Sequence, residues 1–389
     1  MKFNIQSKLL LSHLTAVSKV ISNKNAYAIL DNFLFELEGE RLVVTGSDME
    51  TRMTTTIDVP GAEGSGRFAI DVKRMLNLLK ELPDAGLTIE VDESTLDVSI
   101  TYLNGSFNIV ALNGDDYPLK AQSDGETQVL KLSSKDVCDG ILHTLFAVGT
   151  DEMHPQFMGI FWDIKADGIT FVASDSHKLV RYQKNNVTPN MERTFILPAK
   201  PASILSNVLD KAGKDEVVIT IEDTSATFES GAYQLTCRFI NGRYPNYNSV
   251  IPPDNDKVVV VDRLTLLNAL RRVAIFANVG GLVKLDINPN EILLNAQDLD
   301  HSTRAEERIQ CELEGNFSTE PQSFMGVEDK KASLLTMGFK HSDVIEVLNN
   351  IESDSVNIKL KDSARAGVFL PSTQVEGEEL LILQMPMMI

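Results

Sequence analysis

One pattern of apolar and polar positions occurs three times along the chain. In each copy, apolar residues occupy alternate positions of a first segment, a turn follows, and a second apolar segment ends at an Asp. The three copies are residues 33–48, 160–175 and 283–298. Alternation with a period of two is typical of strands that bury one face, so each copy predicts a β-hairpin.

Helical patterns surround each hairpin. Apolar residues spaced three and four apart predict a helix before it, within 10–21, 137–148 and 266–274. After it, a Phe-led strand and a second helix are predicted within 68–82, 195–211 and 339–351. Asp71 and either Ser342 or Asp343 are expected as N-caps, and Pro201 suits the first turn of the middle helix.

The ends of the copies indicate where domains divide. Further strands are predicted at 87–91, 106–112, 217–221 and 234–240. The first two copies then reach Tyr117-Pro118 and Tyr244-Pro245, and the third reaches Met385-Pro386. The polar stretch 122–127 and the Pro-rich stretch 251–254 separate the copies. We therefore predict an α+β chain of three repeated domains, 1–124, 125–253 and 254–389, each with two helices packed on about eight antiparallel strands.

Composition fits this organisation. The chain has 389 residues, of which 43% are hydrophobic and 23% charged, and these values are typical of globular domains. No apolar run approaches the roughly 20 residues of a membrane-spanning helix, so no membrane partner is expected. Lys8 and Ser12 interrupt the apolar N-terminal segment, so no signal peptide is expected either. Cys138, Cys237 and Cys311 lack metal-ligand spacing, which indicates buried, reduced thiols in a cytoplasmic protein.

The net charge of −19 is unevenly distributed. The six predicted helical segments hold 14 basic and 9 acidic residues, whereas the rest of the chain holds 22 and 46. These basic residues could simply be solvated helix faces. If the repeats close into a ring with the helices inward, however, they would present a positive lining to duplex DNA without reading its sequence.

Two other classes of protein are alternatives to a DNA-encircling ring. Asp175 and His177 alternate along a predicted strand and could be drawn as an acid and a base, but the sequence has no P-loop, His-Glu-x-x-His, nucleophile elbow or metal-spaced cluster. A repeat-built scaffold that never contacts nucleic acid would suit the acidic total, but the basic excess on the helices argues against it.

Four segments carry a resemblance to a known family. They are residues 29–32 (ILDN), 173–179 (ASDSHKL), 241–247 (NGRYPNY) with Val250 and Pro252, and 385–387 (MPM). Their order and spacing on the threefold repeat resemble the bacterial DNA polymerase III beta subunit, the sliding clamp. The likeness covers the whole chain.

The resemblance implies a non-catalytic processivity factor that uses no cofactor and no metal. Two copies would join head to tail as a homodimer of six domains, encircle duplex DNA independently of its sequence, and tether the polymerase. The dimer seam would join Phe107 and Ile109 of one copy to Ile275 and Phe276 of the other. The basic residues expected to face DNA are Lys24, Lys73, Arg74, Lys80, Lys200, Arg271 and Arg272.

The resemblance also implies one partner-peptide pocket per chain, which receives a short motif of Gln and apolar or aromatic residues. The partners would be the replicative DNA polymerase alpha subunit, the clamp-loader ATPase, and other proteins with the motif, such as repair polymerases, ligase and mismatch-repair factors. By position, the pocket residues are Phe157, Ser174, Ser176, His177, Lys178, Leu179, Pro245, Ser249, Val250, Ala364, Ala366, Met385, Pro386, Met387 and Met388.

The chain departs from the family's usual residues at four of these positions. The family often has Gly and Arg at positions 176 and 178, Arg at 249 and a basic residue at 388, where this chain has Ser, Lys, Ser and Met. These differences bear on which motif the pocket prefers. The tail itself alternates like an edge strand at Leu381 and Leu383, and we expect this strand to end at Gln384, because Pro386 cannot donate to a strand ladder.

Overall fold

A computed structural model describes residues 1–22, 24–118, 126–209, 215–317 and 333–389. Within these ranges the chain forms six α-helices and 26 β-strands. The helices are α1 (Ser7–Ser18), α2 (Val72–Glu81), α3 (Ser134–Leu142), α4 (Ala199–Val208), α5 (Arg263–Ala274) and α6 (His341–Asn349). No helix in these ranges is long and apolar enough to cross a membrane.

The strands follow one order in each third of the chain. The first third contains β1 (Lys2–Gln6), β2 (Asn32–Glu38), β3 (Arg41–Ser47), β4 (Thr51–Asp58), β5 (Gly66–Asp71), β6 (Gly86–Val91), β7 (Asp97–Tyr102), β8 (Gly105–Val110) and β9 (Leu112–Asn113). The second contains β10 (Gln128–Ser133), β11 (Gly159–Lys165), β12 (Gly168–Ser174), β13 (Lys178–Lys184), β14 (Arg193–Pro198), β15 (Glu216–Ile221), β16 (Ser225–Ser230) and β17 (Tyr233–Arg238). The third contains β18 (Lys257–Asp262), β19 (Leu282–Asn288), β20 (Glu291–Asp298), β21 (Thr303–Gln310), β22 (Glu312–Gly315), β23 (Leu335–Lys340), β24 (Ser355–Leu360), β25 (Gly367–Pro371) and β26 (Glu378–Gln384).

The predicted threefold repeat is confirmed. Each third runs through a strand, a helix, three hairpin strands, a Phe-containing strand, a second helix and three more strands; the short strands β9 and β22 are additions to the first and last thirds. The predicted hairpins are β2–β3, β11–β12 and β19–β20.

The Asp that ends each repeated pattern has a structural role. One carboxylate oxygen accepts hydrogen bonds from the backbone N–H groups two and three residues further along the chain. The acceptors are Asp48, Asp175 and Asp298, with donor–acceptor distances between 2.7 and 3.2 Å. Such Asx turns reverse the chain tightly, so the Asp specifies the turn into β4, β13 or β21.

The chain divides into two compact units. The first comprises residues 1–139 and 197–241. It contains a four-stranded sheet in the order β1-β6-β7-β8 and a nine-stranded sheet in the order β10-β15-β16-β17-β4-β3-β2-β5-β9. Helices α1 and α2 pack together, and the apolar core includes Phe3, Leu10, Phe33 and Phe68.

The second unit comprises residues 140–196 and 242–389. Its nine-stranded sheet has the order β14-β11-β12-β13-β26-β25-β24-β18-β22, and its four-stranded sheet the order β21-β20-β19-β23. Helices α5 and α6 pack together, and the largest buried side chains include Trp162, Phe171, Phe339 and Phe369.

The sheets extend beyond single repeats. Strand β4 of the first third pairs with β17 of the second, and β13 of the second pairs with β26 of the third. The compact units therefore do not coincide with the three repeats, because backbone pairing joins neighbouring repeats into one sheet. Of the predicted domain boundaries, 124/125 lies outside the described residues, and 253/254 lies in a turn before β18.

One predicted helix cap is confirmed, and several other local predictions need correction. Asp71 caps α2 by accepting a hydrogen bond from the Arg74 N–H at 2.7 Å, as predicted. Ser342 and Asp343 are not N-caps, because β23 runs directly into α6 and the cap position is Lys340. Helix α3 ends at Leu142, before a short 3-10 turn at 145–147, and α4 ends at Val208. Residues 210–211 of the predicted middle helix lie outside the described residues.

The C-terminal strand ends where the sequence predicts but lies elsewhere in its sheet. Strand β26 stops at Gln384, and it pairs with β13 on one side and β25 on the other. The expectation of an edge strand was therefore wrong. Alternating apolar residues report a buried face, and they do not report how many neighbouring strands are present.

Candidate functional site

All fifteen residues predicted for the pocket belong to the second unit. Three strand ends bring many of them together, because Lys178 of β13 lies opposite Gln384 of β26, which in turn lies opposite Gly367 of β25. The residues just beyond these positions therefore lie together at one end of the sheet, where these strands begin or end. They include Ser174, Ser176, His177, Ala366 and Met385.

The turn between β12 and β13 is rigidly hydrogen-bonded. The Ser174 hydroxyl donates to the Lys178 carbonyl at 2.8 Å and accepts from the Ser176 N–H at 3.2 Å. Ser176 has a φ of 75°, in the left-handed region that is uncommon outside glycine. His177 is exposed at the tip, and its carbonyl accepts the Met385 N–H at 2.8 Å.

An aromatic group forms one wall beside this turn. The Phe157 ring meets the Tyr244 ring edge-on at 5.8 Å, and Phe161 stacks on Tyr244 at 4.7 Å. The Tyr247 hydroxyl donates to Asp163 at 2.9 Å. Burial raises the pKa of Tyr247 to about 12, so the phenol stays protonated. Pro245 therefore follows a fixed aromatic residue and is itself exposed.

Two exposed loops complete the set. Ser249 ends the 3-10 turn Tyr247–Ser249, with its hydroxyl donating to the Asn246 carbonyl at 2.7 Å, and Val250 follows it in the open. Ala364 lies in an exposed loop that the Arg365–Asp254 ion pair, at 2.8 Å, ties down. No hydrogen bond or ion pair among the described residues joins either loop to the tail.

The tail beyond β26 lies against β23. The Met387 N–H donates to the Gly338 carbonyl at 2.8 Å. A Cβ at position 338 would lie 2.8 Å from the Met387 carbonyl oxygen and 2.9 Å from a side-chain carbon of Ile389, so only glycine fits there without displacing the tail. Pro386 and Met387 are half-buried, whereas Met388 is 98% exposed. The tail thus presents apolar side chains on a fixed backbone.

Lys178 and Leu179 occupy the predicted place but are buried. Lys178 is 7% exposed, and its ammonium lies 2.7 Å from Asp175 and 3.0 Å from Glu346 of α6. Burial alone would lower the pKa of Lys178, but the two carboxylates outweigh burial and raise it. This charge is neutralised within the unit, so Lys178 supports the turn and does not offer a free cation to a ligand.

Asp175 and His177 do not form an acid–base pair. Both lie in the turn between β12 and β13, so the expectation that they alternate along a strand was wrong. The Asp175 carboxylate accepts the His177 backbone N–H at 2.9 Å and pairs with Lys178. Burial alone would raise the pKa of Asp175, but these hydrogen bonds lower it overall. The carboxylate is a turn-forming group that stays ionised.

The predicted DNA-facing cations fall into two sets. Lys24, Lys73, Arg74 and Lys80 are exposed, and no ion pair engages them within the ranges that the structure describes; Arg271 donates a single hydrogen bond to Asn349 at 3.2 Å. Lys200 and Arg272 instead pair with carboxylates. The Lys200 ammonium is 2.5 Å from Asp48, and the Arg272 guanidinium contacts both oxygens of Glu307, at 2.5 and 3.0 Å.

The predicted seam residues also differ in exposure. Ile275 is 77% exposed just beyond α5, and Phe276 beside it is partly exposed. Phe107 stacks on Tyr102 with ring centroids 6.0 Å apart and is partly exposed. Ile109 is only 5% exposed and belongs to the core of its own unit.

Some residues at the site were not anticipated from the sequence. Glu346 pairs with Lys178 of the turn, Gly338 binds the tail, and Phe161 stacks on Tyr244 of the aromatic wall. Each of them is distant in sequence from the residue that it contacts. Only Tyr244 carried a usable signal, because Tyr-Pro recurs at 117–118 and 244–245.

Comparison with known proteins identifies the family. Three models match consecutive parts of the chain: the DNA polymerase III beta subunit N-terminal domain at residues 1–121, its central domain at 131–246 and its C-terminal domain at 248–320. A beta sliding clamp from Pseudomonas aeruginosa is 25% identical over 391 residues and covers 100% of both chains. Another, from Synechococcus elongatus, is 27% identical over 323 residues, which is 81% of this chain and 85% of that protein.

Solved structures show the same fold. The DnaN sliding clamp of Pseudomonas aeruginosa bound to griselimycin superposes with a TM-score of 0.89 at 24% identity, with 100% of both chains covered. The DNA polymerase sliding clamp of Bacillus subtilis gives 0.87 at 22% identity, with 100% of this chain and 99% of that one covered.

The family has a known role. Its members are non-catalytic processivity factors that encircle DNA as a ring and tether the polymerase. DNA, polymerase-associated proteins and a second copy of the chain are the partners that this role implies. With three family models in register along the repeats, the chain belongs to the DNA polymerase III beta subunit family, the bacterial sliding clamps.

Proposed function

We propose that this clamp receives partner proteins in the pocket predicted from the sequence, at the end of the sheet where β13 and β25 begin and β26 ends. The observation that carries the proposal is the anchored tail at 385–389. Two backbone hydrogen bonds, to His177 and Gly338, hold it in place while Met385, Met388 and Ile389 stay substantially exposed. Exposed apolar side chains on a fixed backbone are typical of a docking surface.

The chemistry of this surface fits a short motif of Gln with apolar or aromatic residues. Methionine side chains are flexible and polarizable, so one surface can accommodate several sequences. The proposed partners are the replicative polymerase alpha subunit, the clamp loader, and repair polymerases, ligase and mismatch-repair factors, all in the cytoplasm. Because Lys178 is already paired with Asp175 and Glu346, an acidic motif residue finds no free cation there.

We further propose that two copies close the ring by pairing β8 of one with β21 of the other. Strand β8 occupies the place in its repeat that β17 and β26 occupy in theirs, and β21 corresponds to β4 and β13. Those equivalents form the β17–β4 and β26–β13 pairs, whereas β8 and β21 each end a sheet among the described residues. Ile275, Phe276 and Phe107 would cover the seam, with Ile109 supporting β8 from within its own unit.

The helices would supply the surface for DNA. In this proposal Lys24, Lys73, Arg74, Lys80 and Arg271 carry most of the phosphate contact, and Lys200 and Arg272 contribute less because carboxylates neutralise them. The three clamp domains would divide near 124/125 and 253/254.

Removal of residues 385–389 tests the pocket. We expect a labelled peptide with Gln followed by apolar and aromatic residues to lose at least tenfold in affinity by fluorescence anisotropy, while sedimentation still reports a dimer. Gly338→Val should weaken the same peptide, because its side chain would displace the tail.

Gly231→Val is the matched control, since a Cβ at position 231 meets no atom within 4 Å. Gly231 has a φ of 56°, so some loss of stability is expected from this control, but peptide affinity should be retained. Full peptide affinity after removal of 385–389, or dissociation into monomers, would refute the pocket assignment.

A further inference from the structure

The turn that forms the proposed pocket occurs again in the first unit, where β4 meets β17. There the Ser47 hydroxyl donates to the Thr51 carbonyl at 3.2 Å and accepts the Met49 N–H at 3.1 Å. The Arg238 N–H donates to the Glu50 carbonyl at 3.0 Å. Each bond has its counterpart in the second unit, at Ser174, Ser176 and Met385.

The backbone of this second turn is equally fixed. Met49 has a φ of 80°, close to the 75° of Ser176. A non-glycine residue in this conformation costs roughly 1–2 kcal/mol, and the surrounding hydrogen bonds must hold it there. Met49 is 50% exposed, so the strained position carries an apolar side chain into solvent.

A buried apolar cluster lies next to the second turn. Tyr117 packs with Leu30 and Leu34 inside the unit, the partly exposed Ile29 lies against them, and Pro118 follows Tyr117 as Pro245 follows Tyr244. Beyond β17, Phe239 and Ile240 are half-buried at the positions that Pro386 and Met387 hold after β26.

The two turns differ in charge. Arg52 stands where the second unit has Leu179, and Arg238 stands where it has Met385. Arg52 is half-buried, donates a hydrogen bond to the Pro118 carbonyl, and has no carboxylate in ion-pair contact within the described part of the chain. Burial lowers the pKa of Arg52, and Glu36, which is itself paired with Arg67 at 2.8 Å, only partly offsets this effect. Arg238 is exposed and likewise unpaired among the described residues.

Nearby acids only partly offset these cations. The Asp48 carboxylate is occupied by the turn N–H groups and by Lys200. Glu50 is exposed at the tip and is the acid most able to repel an anionic ligand.

We propose that the β4–β17 junction, the surface around Met49, Arg52 and Arg238, is a second docking surface of the clamp. It binds an acidic, extended peptide segment of a partner protein. Carboxylates of the segment pair with Arg52 and Arg238, and an apolar residue between them covers the exposed part of Met49 and Ile29. Arginine forms bidentate bonds with carboxylates, and a partly desolvated guanidinium that is not held in an ion pair gains from one. The proposal uses the proposed pocket as its geometric template, but its ligand is different.

Two labelled probes separate the sites on the full-length dimer. One is an acetylated acidic peptide, Asp-Asp-Leu-Phe-Asp, and its control is Asn-Asn-Leu-Phe-Asn, which carries no Gln. The other is the Gln-containing apolar peptide used for the pocket. We expect the acidic peptide to bind at least tenfold more tightly than its amide control, and not to be displaced by the Gln-containing peptide.

Charge variants then locate the acidic peptide. Arg238→Glu should weaken it at least tenfold, and Glu50→Gln should strengthen it about threefold. Arg41→Glu is the matched control, because Arg41 is exposed at the opposite end of β3 and undergoes the same charge change. It should change affinity less than twofold.

Methionine methyl spectra provide a readout that does not depend on affinity. The acidic peptide should shift the Met49 resonance, assigned with Met49→Leu, and leave Met385, Met387 and Met388 unmoved. The proposal is overturned if the acidic peptide does not bind, if Arg41→Glu weakens it as much as Arg238→Glu, or if it shifts only the tail methionines. Loss of Gln-peptide binding on removal of 385–389, measured in the same samples, tests the pocket separately.

Discussion

At the residue scale, burial changes what a charged side chain can do. Lys178 is one of the residues predicted for the partner-peptide pocket, yet its ammonium is held between Asp175 and Glu346. A buried pair of this kind contributes little when intact, but loss of one partner leaves a desolvated charge behind. Lys178 therefore acts on docking through the position of the turn.

We predict that Lys178→Met lowers the free energy of unfolding by about 2 kcal/mol, because it leaves Asp175 without its cation. The folded pKa of Asp175 is lowered, so its contribution is present above its unfolded value of about 3.9 and is lost as pH falls further. The pKa of Lys178 is raised, so its contribution is present below about 10.4 and is lost at higher pH.

Urea denaturation across pH checks this. The difference between the original protein and Lys178→Met should be constant from about pH 5 to 9 and should shrink below about pH 4. Lys165→Met is the control, because the Lys165 side chain is 60% exposed and its ion pair with Asp163 is long, at 3.6 Å. A difference that persists unchanged at pH 2.5 would contradict the ion-pair explanation.

At the element scale, the same pairing between strands of neighbouring repeats occurs twice inside the chain. The two strands that would form it a third time, β8 and β21, have no such partner among the described residues. The β17–β4 and β26–β13 pairs continue sheets across repeats, whereas β8 and β21 each have a free edge among the described residues. Free edges invite pairing with another chain, and a closed ring removes them. The same geometry that builds the protomer thus favours head-to-tail assembly.

We predict that Ile275→Asp weakens the dimer at least a hundredfold, because it would place a charge in an apolar seam. Sedimentation equilibrium over a range of concentrations measures this. Leu264→Asp is the matched control, since Leu264 is 53% exposed at the other end of α5. A dimer that tolerates Ile275→Asp, or that is weakened equally by Leu264→Asp, would exclude this seam.

At the scale of the whole molecule, the distribution of charge matters more than its sum. A chain of net charge −19 can surround a polyanion only if its basic residues are concentrated on one surface and remain unpaired. Among the residues that the structure describes, no ion pair engages Lys73, Arg74 and Lys80 of α2, whereas Arg272 is already bound to Glu307.

We predict that Lys73→Gln, Arg74→Gln and Lys80→Gln each reduce the salt dependence of binding to a short DNA duplex. The slope of log affinity against log salt should fall in magnitude by up to about 0.9 per residue, because each contact releases condensed counterions. Arg272→Gln should change it much less. Anisotropy between 50 and 200 mM salt checks this, and an Arg272 effect as large as that of Arg74 would contradict the assignment.

The sequence by itself determined the repeat, the hairpins and their closing Asp residues, because alternation and turn chemistry are local properties of the chain. It also indicated which helices are basic and which motifs cluster near the tail. The tertiary structure decided what depends on distant neighbours: that β26 is central in its sheet, that Glu346 neutralises Lys178, that Gly338 makes room for the tail, and that Ile109 is buried. Pairing partners, burial and ion pairs arise between residues far apart in sequence, so no local pattern can report them.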